Sequence, residues 1–214
     1  MCIRSTGLKQ FLVQQVSVYG IVGRKGAGKD TVADILRQSK LEDTNHKFVQ
    51  LAFADTIKEV CTTLFGFPSR KYFDDPLLKE KVHAAFSDKT PRSLMQWFGT
   101  EVVRDQLGDR FWIERLQIEI KNKVREFSSF DRISIVVTDV RFPNEAKFLE
   151  SELEATMIYI DAEGRLGPMQ SESHSSESSV YESKAACANI LVVYNNGTLA
   201  DLKRATLNID SFAK

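Results

Sequence analysis

The chain has 214 residues, 43% of them hydrophobic, which is enough for one large domain or a domain carrying an inserted subdomain. Its 29 Lys and Arg balance 29 Asp and Glu, so no overall field draws it to nucleic acid or to an anionic membrane. An anionic ligand would have to be captured by a local cluster. The three cysteines, Cys2, Cys61 and Cys187, are scattered without CxxC spacing, which excludes a disulfide framework or a cysteine metal site and suits a reducing, cytoplasmic setting.

The opening segment, MCIRSTGLKQFLVQQVSVYGIVG, places Arg4 and Lys9 before an apolar run. Gln14 and Gln15 interrupt that run and no small-residue cleavage site follows, so it reads as a tail and a first strand rather than a signal peptide. No stretch is long and apolar enough to span a membrane. The run Val16 to Gly23 predicts a strand, and KDTVADILRQSK, with Val32, Ile35 and Leu36 at helical spacing, predicts a helix after a glycine turn. Lys47 to Ala54 predicts a second strand, followed by a helix with Ile57, Val60, Cys61 and Leu64 on one face.

Residues 68–90 are polar and irregular apart from a short helix expected in DDPLLKEKVH. Two helices are predicted from Pro91 onward, Pro91 in a first turn and Gly108 as the break between them. With no strand signal, residues 67–128 are expected to form a helical insert in a single domain, 1–214. Arg132 to Val140 is a near-continuous apolar run, as in a strand buried on both faces, and Asp139 falls at its carboxyl end. Two further strands are predicted at Ala155 to Ala162 and Asn189 to Asn195. The serine-rich stretch between them, 162–184, reads as a mobile surface loop of the kind that forms a lid. A closing helix follows. Alternating strands and helices predict an α/β fold of three layers, a five-stranded parallel sheet with ligands at the carboxyl ends of its strands.

GRKGAGKDT, Gly23 to Thr31, carries the chemistry. The spacing G-x-x-x-x-G-K between a strand and a helix lets the backbone N–H groups of Gly23, Lys25, Gly26, Ala27 and Gly28 turn inward around a polyphosphate, with Lys29 reaching the outer phosphates. The alternative is an ordinary glycine turn. Asp30 stands where a hydroxyl normally holds Mg²⁺. A carboxylate can hold that cation directly or through water, or can simply favour the helix amino end, and Thr31 keeps a hydroxyl nearby.

Five further segments decide the substrate: FADTIK, LMQWFGTE followed by Phe111 and Trp112, TDVRFPNE, HSSE from His174, and NNGTL from Asn195. With the glycine loop they run in order over residues 18–205, and together they resemble the deoxynucleoside monophosphate kinases of bacteriophages and related bacterial and viral proteins. In that family an aspartate after the loop lysine is a normal variant. The resemblance implies the P-loop kinase fold with a helical acceptor-binding insert and a lid, ATP as donor, Mg²⁺, a nucleotide acceptor and a homodimer. It also implies transfer of the γ-phosphoryl group to a deoxynucleoside monophosphate.

Carried over position by position, the donor and metal fall to Lys29, Asp30 and Thr31, and the adenine to Asn196, Gly197 and Thr198. Asp139, as a second carboxylate for Mg²⁺ waters, Arg141 on a phosphate, and Glu145 beside the arginine or the nucleotide would organise transfer. Arg92, Gln96, Gly99, Thr100 and Trp112 would form the acceptor site, Trp112 either stacking on a base or anchoring the core, while Trp97 reads as packing. Ser93 stands where some relatives have a second basic residue. Asp55 and Lys58 follow the second strand, where a lysine near a helix start implies an anion nearby. Arg165 is the arginine of the lid, a candidate to bridge phosphates, with His174 and Glu177 in the HSSE segment. The rival readings are another small-molecule kinase of this architecture, of the phosphomevalonate or dephospho-coenzyme A type, and a nucleotide-binding protein without catalysis. Against the latter, the chain has no N-K-x-D motif for guanine.

Overall fold

The computed structural model describes residues 16–86, 88–167 and 175–212. The chain divides into two compact units, one formed by residues 1–52 and 118–214 and the other by 53–117. The second unit therefore begins and ends ahead of the insert expected at 67–128, and it takes in the whole helix after the second strand.

In the first unit, β1 (Val16–Val22), β2 (His46–Leu51), β3 (Arg132–Val140), β4 (Thr156–Asp161) and β5 (Ile190–Tyr194) form one parallel sheet in the order β2-β3-β1-β4-β5. The central strands are apolar on both faces because both faces are covered. On one side α1 (Lys29–Gln38) and α8 (Leu199–Phe212) pack Val32, Ile35, Leu36, Leu202 and Ile209 against Tyr19, Ile21, Val136, Ile158, Ile160 and Val193. On the other, α5 (Pro143–Lys147) continues into a π-helical turn at Phe148–Glu152 whose Leu149 reaches Gly20 beside Met157. A Cβ at Gly20 would come within 2.7 Å of the Met157 sulfur, so a larger residue there would push that buried side chain aside. This is the three-layer α/β fold with a five-stranded parallel sheet.

The serine-rich stretch is not a loop throughout. Glu163–Leu166 forms a short helix, α6, and Ser175–Ala186 a longer one, α7, lying over the same face as Tyr159, whose ring the Lys184 ammonium approaches at 4.1 Å. Its polar composition is tolerated because Val180 and Ser183 point inward and the Ser183 hydroxyl has carbonyl acceptors within reach, that of Ser179 at 2.9 Å and that of Arg141 at 2.7 Å. The lid expected at 162–184 thus contains two helical segments. Residues 168–174, including His174, lie outside the described residues, as does the Glu177 side chain.

In the second unit, α2 spans Phe53–Leu64, so Phe53 and Ala54 are helical rather than the end of a strand. A single turn at Lys71–Asp74 and a 3-10 turn at Leu78–Glu80 follow, then α3 (Pro91–Trp97) with a π-helical continuation at Phe98–Arg104 and a last turn at Asp105–Leu107. Thr90 caps α3 by accepting from the Ser93 N–H at 3.1 Å, while the Ser93 hydroxyl accepts from the Thr90 N–H at 2.9 Å, with Pro91 in the first turn. Ser93 is therefore occupied by the helix start. Gly108, at φ 100°, makes the break before α4 (Phe111–Glu126). Cys61, Phe67, Phe73 and Leu94 form this unit's own core, with Tyr72 and Phe86 against it. Among the described residues no helix is long and apolar enough to cross a membrane.

Candidate nucleotide site

The phosphate loop joins β1 to α1 as expected, and two of its glycines, Gly26 at φ 77° and Gly28 at φ 102°, hold left-handed backbone that only glycine adopts without strain. A side chain at Gly28 would also meet the Asn195 amide nitrogen at 2.5 Å. Lys29 folds back over the loop and donates to the carbonyls of Gly23 at 2.7 Å and Arg24 at 2.8 Å. Asp30 is exposed on the first turn of α1 and Thr31 half-buried beside it.

The sheet brings the next residues to this loop. Val140 of β3 pairs with Val22, the last residue before the loop, so Asp139 and Arg141 stand together at the carboxyl end of β3, the strand next to the one that feeds the loop. Glu145 is 2% exposed, and one carboxylate oxygen accepts from the Arg141 N–H at 3.0 Å and the Phe142 N–H at 3.1 Å. Its observed work is to fix the turn that carries Arg141, the positioning half of the expectation. Ser183 of α7 adds a second tie, its hydroxyl lying 2.7 Å from the Arg141 carbonyl.

From β4, α6 carries Arg165 to the loop: its Nη2 donates to the Gly26 carbonyl at 2.8 Å and its Nε to the Asn195 carbonyl at 3.4 Å. In return, Arg24 of the loop donates to the carbonyl of Gly167, just past α6, at 2.6 Å. From β5, Asn195 donates through its side-chain amide to the Ala27 carbonyl at 2.8 Å. Of the following residues, Thr198 caps α8, exchanging hydrogen bonds with Asp201: its N–H donates at 3.0 Å and its hydroxyl at 2.6 Å. Those bonds, and Arg204 behind them, hold the Asp201 carboxyl below the usual carboxylate range. Asn196 and Gly197 are exposed on the turn, Asn196 lying against Gly164 of α6.

Sequence reasoning missed Asn195 and Arg24. The NNGTL motif offered two asparagines, and the glycine-loop pattern leaves the position of Arg24 unspecified. Tyr181 of α7 was missed too; its hydroxyl donates to Glu163 at 3.0 Å. Burial first, then the Glu163 carboxylate, raise that hydroxyl's pKa.

Of the residues expected to bind the acceptor, Asp55, Lys58, Arg92, Gln96, Gly99, Thr100 and Trp112 lie in the second unit, Arg141 and Glu145 in the first. Arg92 is held by Glu80 at 2.6 Å, on the face of α3 that also carries Gln96 one turn on. Lys58 has its anion in the Asp74 carboxylate at 2.9 Å, and Arg70 joins Asp55 to Asp74 in the same cluster. Trp112 is 4% exposed, its indole N–H donating to the Gly99 carbonyl at 2.8 Å. That corrects the base-stacking expectation, since the ring is enclosed and its one donor is taken. A Cβ at Gly99 would in turn come within 2.9 Å of Ile57. Trp97, expected to pack, is 44% exposed.

A glycine loop on β1, a carboxylate and an arginine at the end of the neighbouring β3, and a further arginine arriving from beyond β4 define a P-loop phosphotransferase arrangement. Residues 77–206 match the family model described as deoxynucleotide monophosphate kinase. The chain belongs to the deoxynucleotide monophosphate kinase family. It is 29% identical over 196 residues, 85% of this chain and 90% of the other, to a candidate deoxynucleotide monophosphate kinase of Acanthamoeba polyphaga mimivirus. Solved structures with similarity to it include a gluconokinase from Sinorhizobium meliloti, at 10% identity and a TM-score of 0.42 over 92% of this chain and 93% of that one. A dephospho-CoA kinase from Campylobacter jejuni is similar at 13% identity and a TM-score of 0.43, over 93% and 98% of the two chains.

Proposed function

We propose that the protein is an ATP-dependent deoxynucleoside monophosphate kinase, which moves the γ-phosphoryl group of ATP to a deoxynucleoside monophosphate and yields ADP and a deoxynucleoside diphosphate. The observation that carries this reading is the pairing of Val140 with Val22, which sets Asp139 and Arg141 beside the loop that ends in Lys29. Family membership narrows the acceptor class.

Positioning and charge neutralisation account for catalysis in such a transfer. Backbone N–H groups of Gly23, Lys25, Gly26 and Gly28 and the Lys29 ammonium hold the donor's phosphates, while the Ala27 N–H is taken by the Arg24 carbonyl at 3.1 Å. Among the described residues no three His, Cys, Asp or Glu side chains gather to hold a metal by themselves. Mg²⁺ is usually held by one or two carboxylates together with substrate phosphates. Asp30, Thr31 and Asp139 would hold it, and the ion would supply positive charge to neutralise the phosphates. Arg141 grips a phosphate through its planar fork, with Glu145 fixing the backbone beneath it. Arg165 spans the phosphates, and Asn196, Gly197 and Thr198 border the adenine.

In the second unit Arg92 exchanges Glu80 for the acceptor's phosphate, Gln96 and Thr100 read the base edge and sugar, and Asp55 and Lys58 complete the acceptor set. Trp112 keeps the Gly99 turn in place for them.

The test is a coupled ADP-release assay against all deoxy- and ribonucleoside monophosphates, with Lys29→Ala alongside. Turnover confined to one or more deoxynucleotides and lost in the variant supports the reading. Full activity of Lys29→Ala, or no turnover of any monophosphate by the wild type, refutes it.

A further inference from the structure

We propose that Arg24, a phosphate-loop residue with no role in the reading above, is the positioning residue for Arg165. The inference rests on the kinase reading for Arg165 and adds to it the means by which that side chain is held.

Arg165 stands on a helix of only four residues, which has no stability of its own. Something outside the helix must therefore fix it. Two arginines cross between the segments: Arg24 reaches from the glycine loop to the Gly167 carbonyl, and Arg165 reaches from α6 to the Gly26 carbonyl. Each begins on one segment and ends on the other, so neither segment shifts without breaking both bonds. The Arg24 carbonyl, with that of Gly23, also accepts from Lys29. A single residue thus contacts, through its backbone, the lysine assigned to the phosphates and, through its side chain, the segment bearing the second cation. Gly167, at φ 69°, turns the chain at the point where Arg24 holds it. The bond from Tyr181 to Glu163 holds the other end of α6, and at the carboxyl end Leu166 packs against the core while Arg24 takes the Gly167 carbonyl.

The experiment compares Arg24→Ala, Arg24→Lys, Arg165→Ala and the Arg24→Ala/Arg165→Ala double variant. It uses steady-state kinetics on the full chain, with limited trypsin digestion read at the Arg165–Leu166 bond. Misplacing a positioned cation should lower kcat roughly 10- to 100-fold in Arg24→Ala, while the KM for ATP moves much less. Arg24→Lys, which still brings a cationic N–H to the carbonyl, should recover most of the loss. In the Arg165→Ala background the same change should cost less than about twofold, because the residue it acts through is gone. Trypsin should cut after Arg165 faster in Arg24→Ala than in the wild type. Equal losses in both backgrounds, or an unchanged kcat, would overturn the proposal. If the wild type phosphorylates no monophosphate, it is the kinase reading that fails. The trypsin comparison then decides whether Arg24 holds Arg165, and equal cleavage rates reject it.

Discussion

Replacing Asn195 by alanine tests how the phosphate loop is held. The Asn195 amide donates to the carbonyl of Ala27, a residue 1% exposed, so truncation leaves a carbonyl with poor access to water. An unsatisfied buried acceptor costs about 1–3 kcal/mol. For a chain of this size that corresponds to a fall in Tm of roughly 3–10 °C. Gly28→Ala attacks the same contact from the other side. It adds about 1–2 kcal/mol of left-handed backbone strain at φ 102°. It also pushes a methyl group to within 2.5 Å of the amide, displacing it from Ala27. Its total should be about 2–5 kcal/mol, since the same hydrogen bond is lost. In the double variant the bond is lost only once and the clash is absent, so its cost should fall short of the sum of the single costs by about 1–3 kcal/mol. Urea denaturation of the four proteins gives the cycle directly, and the KM for ATP should rise in all three variants. Additive costs, or an Asn195→Ala protein with wild-type stability and KM, would refute the reasoning.

Other expectations follow from single contacts. Trp112→Phe removes the indole donor from the Gly99 carbonyl, which should cost about 1–3 kcal/mol in chemical denaturation. Acceptor KM should rise while ATP KM stays near wild type. Glu145→Ala strips two backbone N–H groups of their shared carboxylate, so kcat should drop at least tenfold, of the order seen when a positioning contact is lost, and Glu145→Gln should restore part of it. Burial pushes the Cys61 thiol up from 9.0 to about 12. The native state then keeps a proton that the unfolded chain releases, so stability is intact below pH 9 and declines as pH rises toward 12, at up to about 1.4 kcal/mol per pH unit. Denaturation midpoints measured between pH 8 and 11 should fall less steeply in Cys61→Ala than in the wild type, and parallel slopes would count against the assignment.

The strands were legible in the sequence because a strand covered on both faces must be apolar throughout, and Arg132 to Val140 is found at its expected bounds. The glycine loop was legible for a similar reason, since its left-handed positions admit almost nothing but glycine. The helix over Ser175–Ala186 was not, because its buried stripe is narrow and one of its inward residues is a serine. The two tryptophans mark a different limit. Trp112 shares a stripe with Leu116 and Ile120 at helical spacing, a core signal that the sequence offers beside the base-stacking role its motif implies, with nothing local to decide between them. The exposure of Trp97 was hidden, because the π-helical turn that begins at Phe98 breaks the period by which a buried face is counted. Asn195 was beyond reach for a topological reason. Its partner lies 168 residues earlier, and only the order β1-β4-β5 makes the two neighbours.

The contacts around the glycine loop share one physical cause. A planar peptide points its N–H and C=O in opposite directions, so a loop that turns its N–H groups toward an anion must turn carbonyls away from it. Those carbonyls need donors of their own when water is scarce. Here the carbonyls of Gly23 and Arg24 take Lys29, that of Gly26 takes Arg165 and that of Ala27 takes Asn195. Two of the three donors come from the ends of β4 and β5, more than a hundred residues from the loop. The anion-binding conformation of Gly23 to Lys29 is therefore a property of the sheet's carboxyl edge as well as of the motif. Substitution at Asn195 should weaken ATP binding even though that residue lies outside the loop.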